Sequence, residues 1–162
     1  QSSDAMPNTP IVVTRFTNNT GTQQSQEHQF SYNAQGKVTN YVDPSGRAFT
    51  YTYQANGIDL FLVQDANGEV LAKYTYDNYH NPLTYTDASG QTWHYSYNSA
   101  GQITSVSAPL GETTHYNYDG DGHLTSVVPP QPGSTVAYTY DNVGRVFGTK
   151  GSGHHYPLYK MV

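Results

Sequence analysis

The sequence predicts an all-β protein, an antiparallel meander of about twelve short strands built from six tandem β-hairpins and curled into a spiral or barrel. Two observations predict this fold. A strand with aromatic residues at alternate positions recurs six times at a nearly constant period, and a turn-closing residue, almost always glycine, follows every ten to twelve residues. Such regular punctuation is typical of short strands joined by hairpin turns.

The repeated unit is an aromatic pair two residues apart, an Asn or Asp that opens a four-residue turn, and a short apolar, Thr-rich run. The six copies begin at Phe30, Tyr51, Tyr74, Tyr95, Tyr116 and Tyr138, which lie 21, 23, 21, 21 and 22 residues apart. One copy buries too little apolar surface to offset the conformational entropy lost when its residues are ordered. Neighbouring copies must therefore share buried surface.

The turns have a common chemistry. An Asn or Asp at the first position of a type I turn accepts a hydrogen bond from the backbone two residues on, and the closing residue takes a positive φ that glycine adopts without strain. The predicted turn glycines are Gly36, Gly46, Gly57, Gly68, Gly90, Gly101, Gly111, Gly122, Gly133 and Gly144, and His80 takes this place in the third copy. Eleven such turns separate twelve strands.

The aromatic pairs predict a structural ladder. Side chains alternate between the two faces of a strand, so both rings of a pair lie on one face and the Ser, Thr or Asn between them lies on the other. The ladder comprises Tyr32, Tyr51, Tyr53, Tyr74, Tyr76, Tyr95, Tyr97, Tyr116, Tyr118, Tyr138 and Tyr140. In the return strands, apolar residues such as Ile103 and Val106 stand three apart, which indicates a β-bulge or partial burial on both faces.

Three segments are predicted along the chain. Residues 1–22 form an N-terminal extension with one extra strand at 11–16, residues 23–149 form the repeat sheet, and residues 150–162 form a linker followed by a tail or edge strand. The extra strand lies outside the repeat register, and its edge residues are Ile11, Val12, Val13 and Phe16. It is either an ordinary first strand that pairs with the next or a strand free to complete a sheet edge, including one of another subunit.

A family resemblance follows from the repeats. The pattern Tyr-x-Tyr-Asp/Asn-x-x-Gly-x-Val/Leu/Ile-Thr, alternating with turns such as Asp43-Pro44-Ser45-Gly46, resembles the YD-repeat family, also called the RHS-repeat family. The resemblance covers residues 30–149, with six copies in register. It implies a spiralling β-sheet like that of bacterial RHS and ABC toxin shells or teneurin β-barrels, in which the repeats mostly wrap, scaffold or adhere.

Composition and charge exclude several classes of partner. The net charge is −5 and the seven Lys and Arg residues are scattered, so there is no basic patch for nucleic acid. The chain has no cysteine, and its longest apolar run, Leu60–Val63, is too short to span a membrane. A start at Gln1 is typical of a processed, exported protein or of a trimmed chain. Asn18-Asn19-Thr20 matches an N-glycosylation acceptor, and its occupancy is left open.

One acidic segment resembles the start of a calcium loop. It contains Asp119, Asp121 and His123. A complete loop requires a Glu at the twelfth position, which is Pro130 when counted from Asp119. We therefore interpret the segment as a turn that satisfies the repeat pattern.

Other candidate groups also have structural interpretations. His94 and His115 occupy equivalent places in neighbouring copies, and strands two apart separate them by about 10 Å, too far for one zinc ion without a third ligand. His154 and His155 are interpreted as a solvated tail. No nucleophile elbow, phosphate-binding loop or zinc-helix motif occurs, and the carboxylates stand at turn openings. We predict no catalytic residue, no cofactor and no metal.

The predicted function is structural. We expect a non-enzymatic protein of the cell surface or extracellular space, bacterial in origin, that builds a fibre or shell through sheet-edge pairing with itself or with neighbouring repeats. One alternative is a glycan-binding or adhesion module, because an aromatic and weakly charged surface suits stacking against sugars. Another is an excised part of a toxin-encapsulating RHS shell. Solvent-exposed tyrosine rings would favour carbohydrate as a partner.

Overall fold

The computed structural model describes residues 11–17, 23–151 and 154–156, with side chains from Gln26 to Gly151. These residues form fourteen β-strands, and they include no helix that could cross a membrane. The strands are β1 Ile11–Thr17, β2 Gln23–Tyr32, β3 Val38–Val42, β4 Ala48–Tyr53, β5 Leu60–Asp65, β6 Val70–Tyr76, β7 Pro82–Asp87, β8 Thr92–Tyr97, β9 Ile103–Ser107, β10 Thr113–Tyr118, β11 Leu124–Val128, β12 Val136–Tyr140, β13 Val146–Gly151 and β14 His154–Tyr156.

The strand order in the sheet is the sequence order, so the predicted all-β antiparallel meander is confirmed. Strands β2 to β13 are the twelve strands that eleven turns separate, and β1 and β14 flank them. The described residues belong to two compact units, one within Gln1–Tyr76 and Tyr85–Gln91 and the other within Asp77–Thr84 and Thr92–Val162. The predicted curl and the predicted segment boundaries stay predictions.

The first unit contains β1 to β6 as successive antiparallel pairs. The second contains β8 to β14, paired in the same way. In the first unit, β1 lies where the sequence predicts the extra strand, and it pairs with β2 from Ile11 opposite Gln29 to Thr17 opposite Gln23. This pairing agrees with the first interpretation of that strand. The side chains of β1 and β14, and Asn18, lie outside the described residues.

The turn at Asp141 shows why these segments fold as hairpins. The Gly144 N–H donates to the Asp141 carbonyl at 3.0 Å, and the Asp141 N–H donates to the Arg145 carbonyl at 2.9 Å. The Asp141 Oδ1 atom also accepts the N–H groups of Val143 and Arg145, at 3.0 and 2.9 Å. Gly144 has a φ of 78°, which an L side chain rarely adopts. One acidic side chain therefore satisfies two backbone donors while glycine closes the turn.

The same arrangement, with one Oδ1 accepting from the second and fourth following N–H groups, recurs in eight turns. They open at Asn33, Asp43, Asp65, Asp77, Asp87, Asn98, Asp119 and Asp141. The ten turn glycines all have positive φ, and His80 is the one non-glycine residue of the described chain that shares it, at 68°. Turn chemistry thus fixes the period of the repeat.

A β-bulge explains the three-residue spacing of apolar residues. Tyr97 lies opposite Ile103, whereas Ser96 lies opposite Ser105, so Thr104 is an extra residue in the return strand. The bulge brings Ile103 opposite Tyr97, and Val106 lies opposite Tyr95, so both apolar residues share the face of the ring pair. Equivalent register shifts precede Tyr32, Tyr53, Tyr118 and Tyr140. Both explanations that the sequence left open are observed, because every residue of β9 and β11 is also half-buried.

Burial within the described residues is shallow. Ala72 is the one apolar residue among them that is buried, and none of their large side chains is fully enclosed. The eleven ladder tyrosines are all half-buried, and the residues between the rings of each pair are mostly exposed, as in the pattern of β8 and β10. Cohesion between successive strands therefore depends on cross-strand pairs and turn contacts rather than on a deep core.

Candidate functional site

The first candidate site is a relay of phenol groups that ties four of the hairpins to the hairpin before them. Four hydroxyls donate to backbone carbonyl oxygens at 2.8–2.9 Å: Tyr53 to Val38, Tyr97 to Pro82, Tyr118 to Ile103 and Tyr140 to Leu124. Each donor is the second ring of its pair, and each acceptor is the first residue of a return strand. The relay links consecutive copies through backbone atoms, so it does not depend on the type of the acceptor residue.

Side chains bridge neighbouring turns along the same edge. The Asn33 Nδ2 atom donates to the Gly57 carbonyl at 2.8 Å, and the Gln102 Nε2 atom donates to the Gly122 carbonyl at 2.7 Å. The His123 ring stacks on Tyr140 with centroids 4.7 Å apart. These bridging residues were not predicted, because Asn, Gln and His at these turn positions form no recognisable motif. Two of these side chains donate to the carbonyl of a turn glycine, and the third stacks on a ladder ring.

Ring contacts in the first unit pass through residues of the return strands. The Tyr41 ring stacks with both Phe30 and Phe49, at centroid distances of 4.9 and 5.9 Å. Tyr74 stacks with Tyr85 at 5.2 Å. Tyr41 and Tyr85 are absent from the predicted ladder because they stand in return strands, where the repeat usually has an aliphatic residue. Aromatic continuity therefore extends beyond the predicted pairs.

An open cavity of about 690 Å³, here called the turn cavity, lies between the turns that start at Asp77 and Asn98. Tyr79, Leu83 and Tyr95 line it, together with polar groups of both turns. Tyr79 is 82 % exposed. Burial raises the pKa of Tyr97, whose hydroxyl donates to the Pro82 carbonyl beside the cavity. The turn cavity combines an aromatic surface with hydrogen-bonding side chains.

Comparison with known proteins decides the family. The teneurin YD-shell family model matches residues 9–157 of the chain, which includes all six repeats. The chain belongs to the teneurin YD-shell family. The resemblance of the repeats to YD and RHS sequences is thereby confirmed, and the tyrosine relay is a contact between successive YD-shell hairpins.

The YD-shell assignment agrees with two kinds of similarity. A protein of Bacillus spizizenii named tRNA3(Ser)-specific nuclease WapA is 32 % identical over 131 residues, covering 77 % of this chain and 6 % of that protein. The crystal structure of TcdB2-TccC3-Cdc42 has a TM-score of 0.67 at 17 % identity, covering 79 % of this chain and 7 % of that one. The crystal structure of TcdB2-TccC3-TEV has the same TM-score at 18 % identity, with 78 and 7 % covered.

These relatives are far longer than this YD-shell chain, which spans 6–7 % of their length. The two solved structures are similar in fold. Their sequence identity to this chain is low, so the similarity comes from the fold. It supports the antiparallel meander independently of the family match.

The pKa is lowered at four turn carboxylates, those of Asp43, Asp77, Asp119 and Asp141. The hydrogen bond from the Arg145 backbone N–H lowers the pKa of Asp141 most, burial opposes it, and the bond from the Arg145 guanidinium lowers the pKa further. The Asn81 side-chain amide lowers the pKa of Asp77, and the His123 backbone N–H lowers that of Asp119. These carboxylates are acceptors in the turns, so their charge serves folding.

The fold should lose stability in acid. The folded chain binds protons at these carboxylates more weakly than the unfolded chain does. Their contribution to the free energy of unfolding is therefore complete above the unfolded pKa of about 3.9, and it is lost as the pH falls through the lower folded pKa values. We expect the melting temperature, followed by circular dichroism, to fall steeply between about pH 4.5 and about pH 2.5.

The Asp141→Asn variant is the control for this acid effect. An Asn can still supply the Oδ1 acceptor, as Asn33 and Asn98 do in their own turns. It carries no charge, so its melting temperature should depend less on pH than that of the wild type. Identical pH profiles would show that Asp141 contributes nothing to acid sensitivity.

The segment interpreted as a turn rather than a calcium loop has the hydrogen bonds of a turn. Ligand atoms of Asp119, Asp121 and His123 lie within 4.8 Å of one another. The Asp119 Oδ1 atom accepts the N–H groups of Asp121 and His123 at 3.0 and 2.8 Å, and its Oδ2 atom lies 3.1 Å from His123 Nδ1. Both oxygens of Asp119 are therefore engaged in the turn, which favours the turn interpretation.

His94 and His115, two exposed histidines of the second unit, are offset along the sheet. His94 lies opposite Ser107 and His115 lies opposite Ser105, so they occupy different rows of the sheet. The structure does not place them directly across from one another. They remain parts of an exposed polar face, as their place in the repeat predicts.

Proposed function

We propose that this chain is a non-enzymatic segment of an extracellular repeat wall, by which we mean a sheet that grows by adding hairpins to its open edge. The observation that carries the proposal is the phenol relay, which repeats one donor and one acceptor in Tyr53, Tyr97, Tyr118 and Tyr140. In these four contacts, one hairpin offers the next a carbonyl in the same place. The similarity to the TcdB2-TccC3 folds and the family membership support this role.

The last described hairpin carries two exposed apolar side chains at the start of its return strand. Val146 is the first residue of β13 and corresponds to the acceptors Ile103 and Leu124. The described ladder between β13 and β14 pairs Thr149–Gly151, which follow Val146 and Phe147 along the strand. These two side chains are 44 and 70 % exposed. Two exposed apolar side chains therefore flank this edge of the sheet.

We propose that this edge pairs with a strand of a further repeat or of a second copy. Addition of a strand beside Val146 and Phe147 would bury their side chains. A contact between one end of a chain and a different surface of the next is heterologous, and such contacts build rings or filaments. The exposed apolar edge supports the proposed surface assembly.

Sedimentation velocity tests the edge. The wild-type chain should associate as its concentration rises, and Phe147→Asp should remove the association because it introduces a charge into the pairing edge. Leu110→Asp is the matched control, since Leu110 is 93 % exposed but lies in a turn. A wild type that stays monomeric, or equal loss in both variants, would contradict assembly through this edge. If the chain associates only after residues 157–162 are removed, these residues occupy the edge in the intact chain. That result would also contradict the proposal.

The non-enzymatic role has its own test, because the relative WapA is named as a nuclease. We expect that this chain leaves transfer RNA intact on denaturing gels, with or without added divalent cation, since its turn carboxylates are engaged by backbone donors. Cleavage that copurifies with the chain and disappears in a turn-carboxylate variant such as Asp119→Asn would contradict the proposal. Detection of the protein outside intact cells by immunogold labelling would support the extracellular setting.

A further inference from the structure

Two turns of the first unit contain the dipeptide Asn-Gly. Asn56 precedes Gly57 and Asn67 precedes Gly68, and in both turns the Asn is the third residue and the glycine closes the turn. The two glycines have φ values of 69° and 83°. In an Asn-Gly pair the backbone nitrogen of the glycine reaches the Asn side-chain amide readily, because glycine has no Cβ atom to hinder the approach. The protein therefore holds one reactive pair in two different environments.

The environment of Asn56 holds its amide group in place. Its Nδ2 atom donates to Asp59 Oδ2 at 2.7 Å, and its Oδ1 atom accepts the N–H groups of Ile58 and Asp59, both at 3.0 Å. Gly57 is covered as well, because a Cβ atom built there would clash with the Gln35 side chain. Rotation of the Asn56 amide toward the Gly57 nitrogen would break all three hydrogen bonds.

The environment of Asn67 is open. Its Nδ2 atom lies 3.3 Å from Asp65 Oδ2, beyond the usual N–H···O distance of about 2.7–3.2 Å. Asn67 and Gly68 are both exposed, and the atom nearest to a Cβ built on Gly68 is Gln64 Nε2, at 4.0 Å. The Gly68 N–H donates to the Asp65 carbonyl at 3.1 Å, whereas the equivalent bond of the other turn is 2.8 Å long. Rotation of the Asn67 amide toward the Gly68 nitrogen therefore breaks one weak side-chain contact.

We propose that Asn67 is a site of self-deamidation in the folded protein. The Gly68 backbone nitrogen attacks the Asn67 Cγ atom and gives its proton to water, and a cyclic imide forms. The bond between Cγ and Nδ2 breaks, and Nδ2 takes up a proton and leaves as ammonia. A water molecule then adds to one of the two imide carbonyls and opens the ring. The products at position 67 are aspartate and isoaspartate, and the reaction consumes only water.

Conversion would weaken the turn between β5 and β6. Asp65 Oδ1 accepts the N–H groups of Asn67 and Glu69, both at 2.9 Å, so this short segment already carries two carboxylates. A third negative charge would repel them. Isoaspartate also adds a carbon atom to the backbone that Asp65 bridges. This slow chemical change goes beyond the wall role, because it acts within one hairpin however the chains assemble.

Peptide mapping by tandem mass spectrometry tests the site. The intact chain is incubated in warm neutral buffer, and the conversion of each Asn to an acid is followed with time. Asn67 should convert at least about tenfold faster than Asn56, because opening costs more where more hydrogen bonds break. In concentrated urea the two rates should be similar. A folded chain in which Asn67 does not convert, or converts no faster than Asn56, would overturn the proposal.

Two further measurements locate the reaction and its effect. In water enriched in heavy oxygen, each converted Asn67 should carry one heavy oxygen atom, and a product without it would contradict the imide route. Asn67→Ser is the matched control, since the turn Asp87–Gly90 already has Ser89 at this position. On ageing, the wild type should lose more of its melting temperature than Asn67→Ser. Equal losses would contradict the weakening of the turn. These readouts do not depend on association, so they and the sedimentation outcome are independent.

Discussion

Replacing Tyr118 with alanine should lower the free energy of unfolding by about 2–4 kcal/mol, because a half-buried ring and its relay bond are lost together. Tyr118 lies opposite Leu124 in its own hairpin and donates to the Ile103 carbonyl in the preceding one, at 2.9 Å. The conservative change Tyr118→Phe removes only the hydroxyl and should cost about 1 kcal/mol. Urea unfolding monitored by tyrosine fluorescence gives both values.

Tyr79→Ala is the control for this experiment. Tyr79 is 82 % exposed and its ring lies at a turn, so its loss should change the free energy of unfolding by less than about 0.5 kcal/mol. If Tyr118→Ala is no more destabilising than Tyr79→Ala, the relay does not hold the hairpins together. The scaffold proposal would then lose its main support.

The second large effect is expected at Gly144. Its φ of 78° disfavours any L side chain, and a Cβ atom there would lie 3.0 Å from His123 Nε2. Gly144→Ala should therefore destabilise the chain by about 2–3 kcal/mol, since backbone strain is joined by displacement of a ring that stacks on Tyr140. Thermal unfolding of the variant and the wild type measures the loss.

Gly111→Ala separates the two causes of this effect. Gly111 has a φ of 87° and no atom within 4 Å of the position of a Cβ, so alanine there should cost only the backbone part, about 1–2 kcal/mol. In the His123→Ala background, Gly144→Ala should become about as mild as Gly111→Ala. If Gly144→Ala is equally destabilising in that background, the His123 ring moves aside without an energetic cost and does not couple the turns.

The repeat architecture could be predicted because its determinants are local. An Asx residue such as Asp141 satisfies nearby N–H groups, and Gly144 supplies the positive φ, so both the turn and its spacing are encoded within five residues. The bulge was visible as the spacing of Ile103 and Val106. These features need no knowledge of distant parts of the chain.

The relay and the turn cavity depend on distant residues and could not be predicted in the same way. Whether the Tyr118 hydroxyl meets the Ile103 carbonyl depends on cross-strand register, which the pattern of residues leaves unspecified. The turn cavity depends on Asn81 folding back on Asp77, whereas Gln102 extends to the next turn. The substitution of His80 for glycine was a visible signal in the sequence, but only the structure connects it with an opening between turns.

The near absence of enclosed side chains has an evolutionary consequence. Ala72 is the one buried apolar residue among those described, and the contacts between copies use backbone carbonyls and glycine turns. A copy of about 21 residues can thus be duplicated or deleted without redesign of a shared interior, because each one requires only compatible neighbours. The number of copies can therefore change by whole repeats while the contacts between neighbouring copies stay the same.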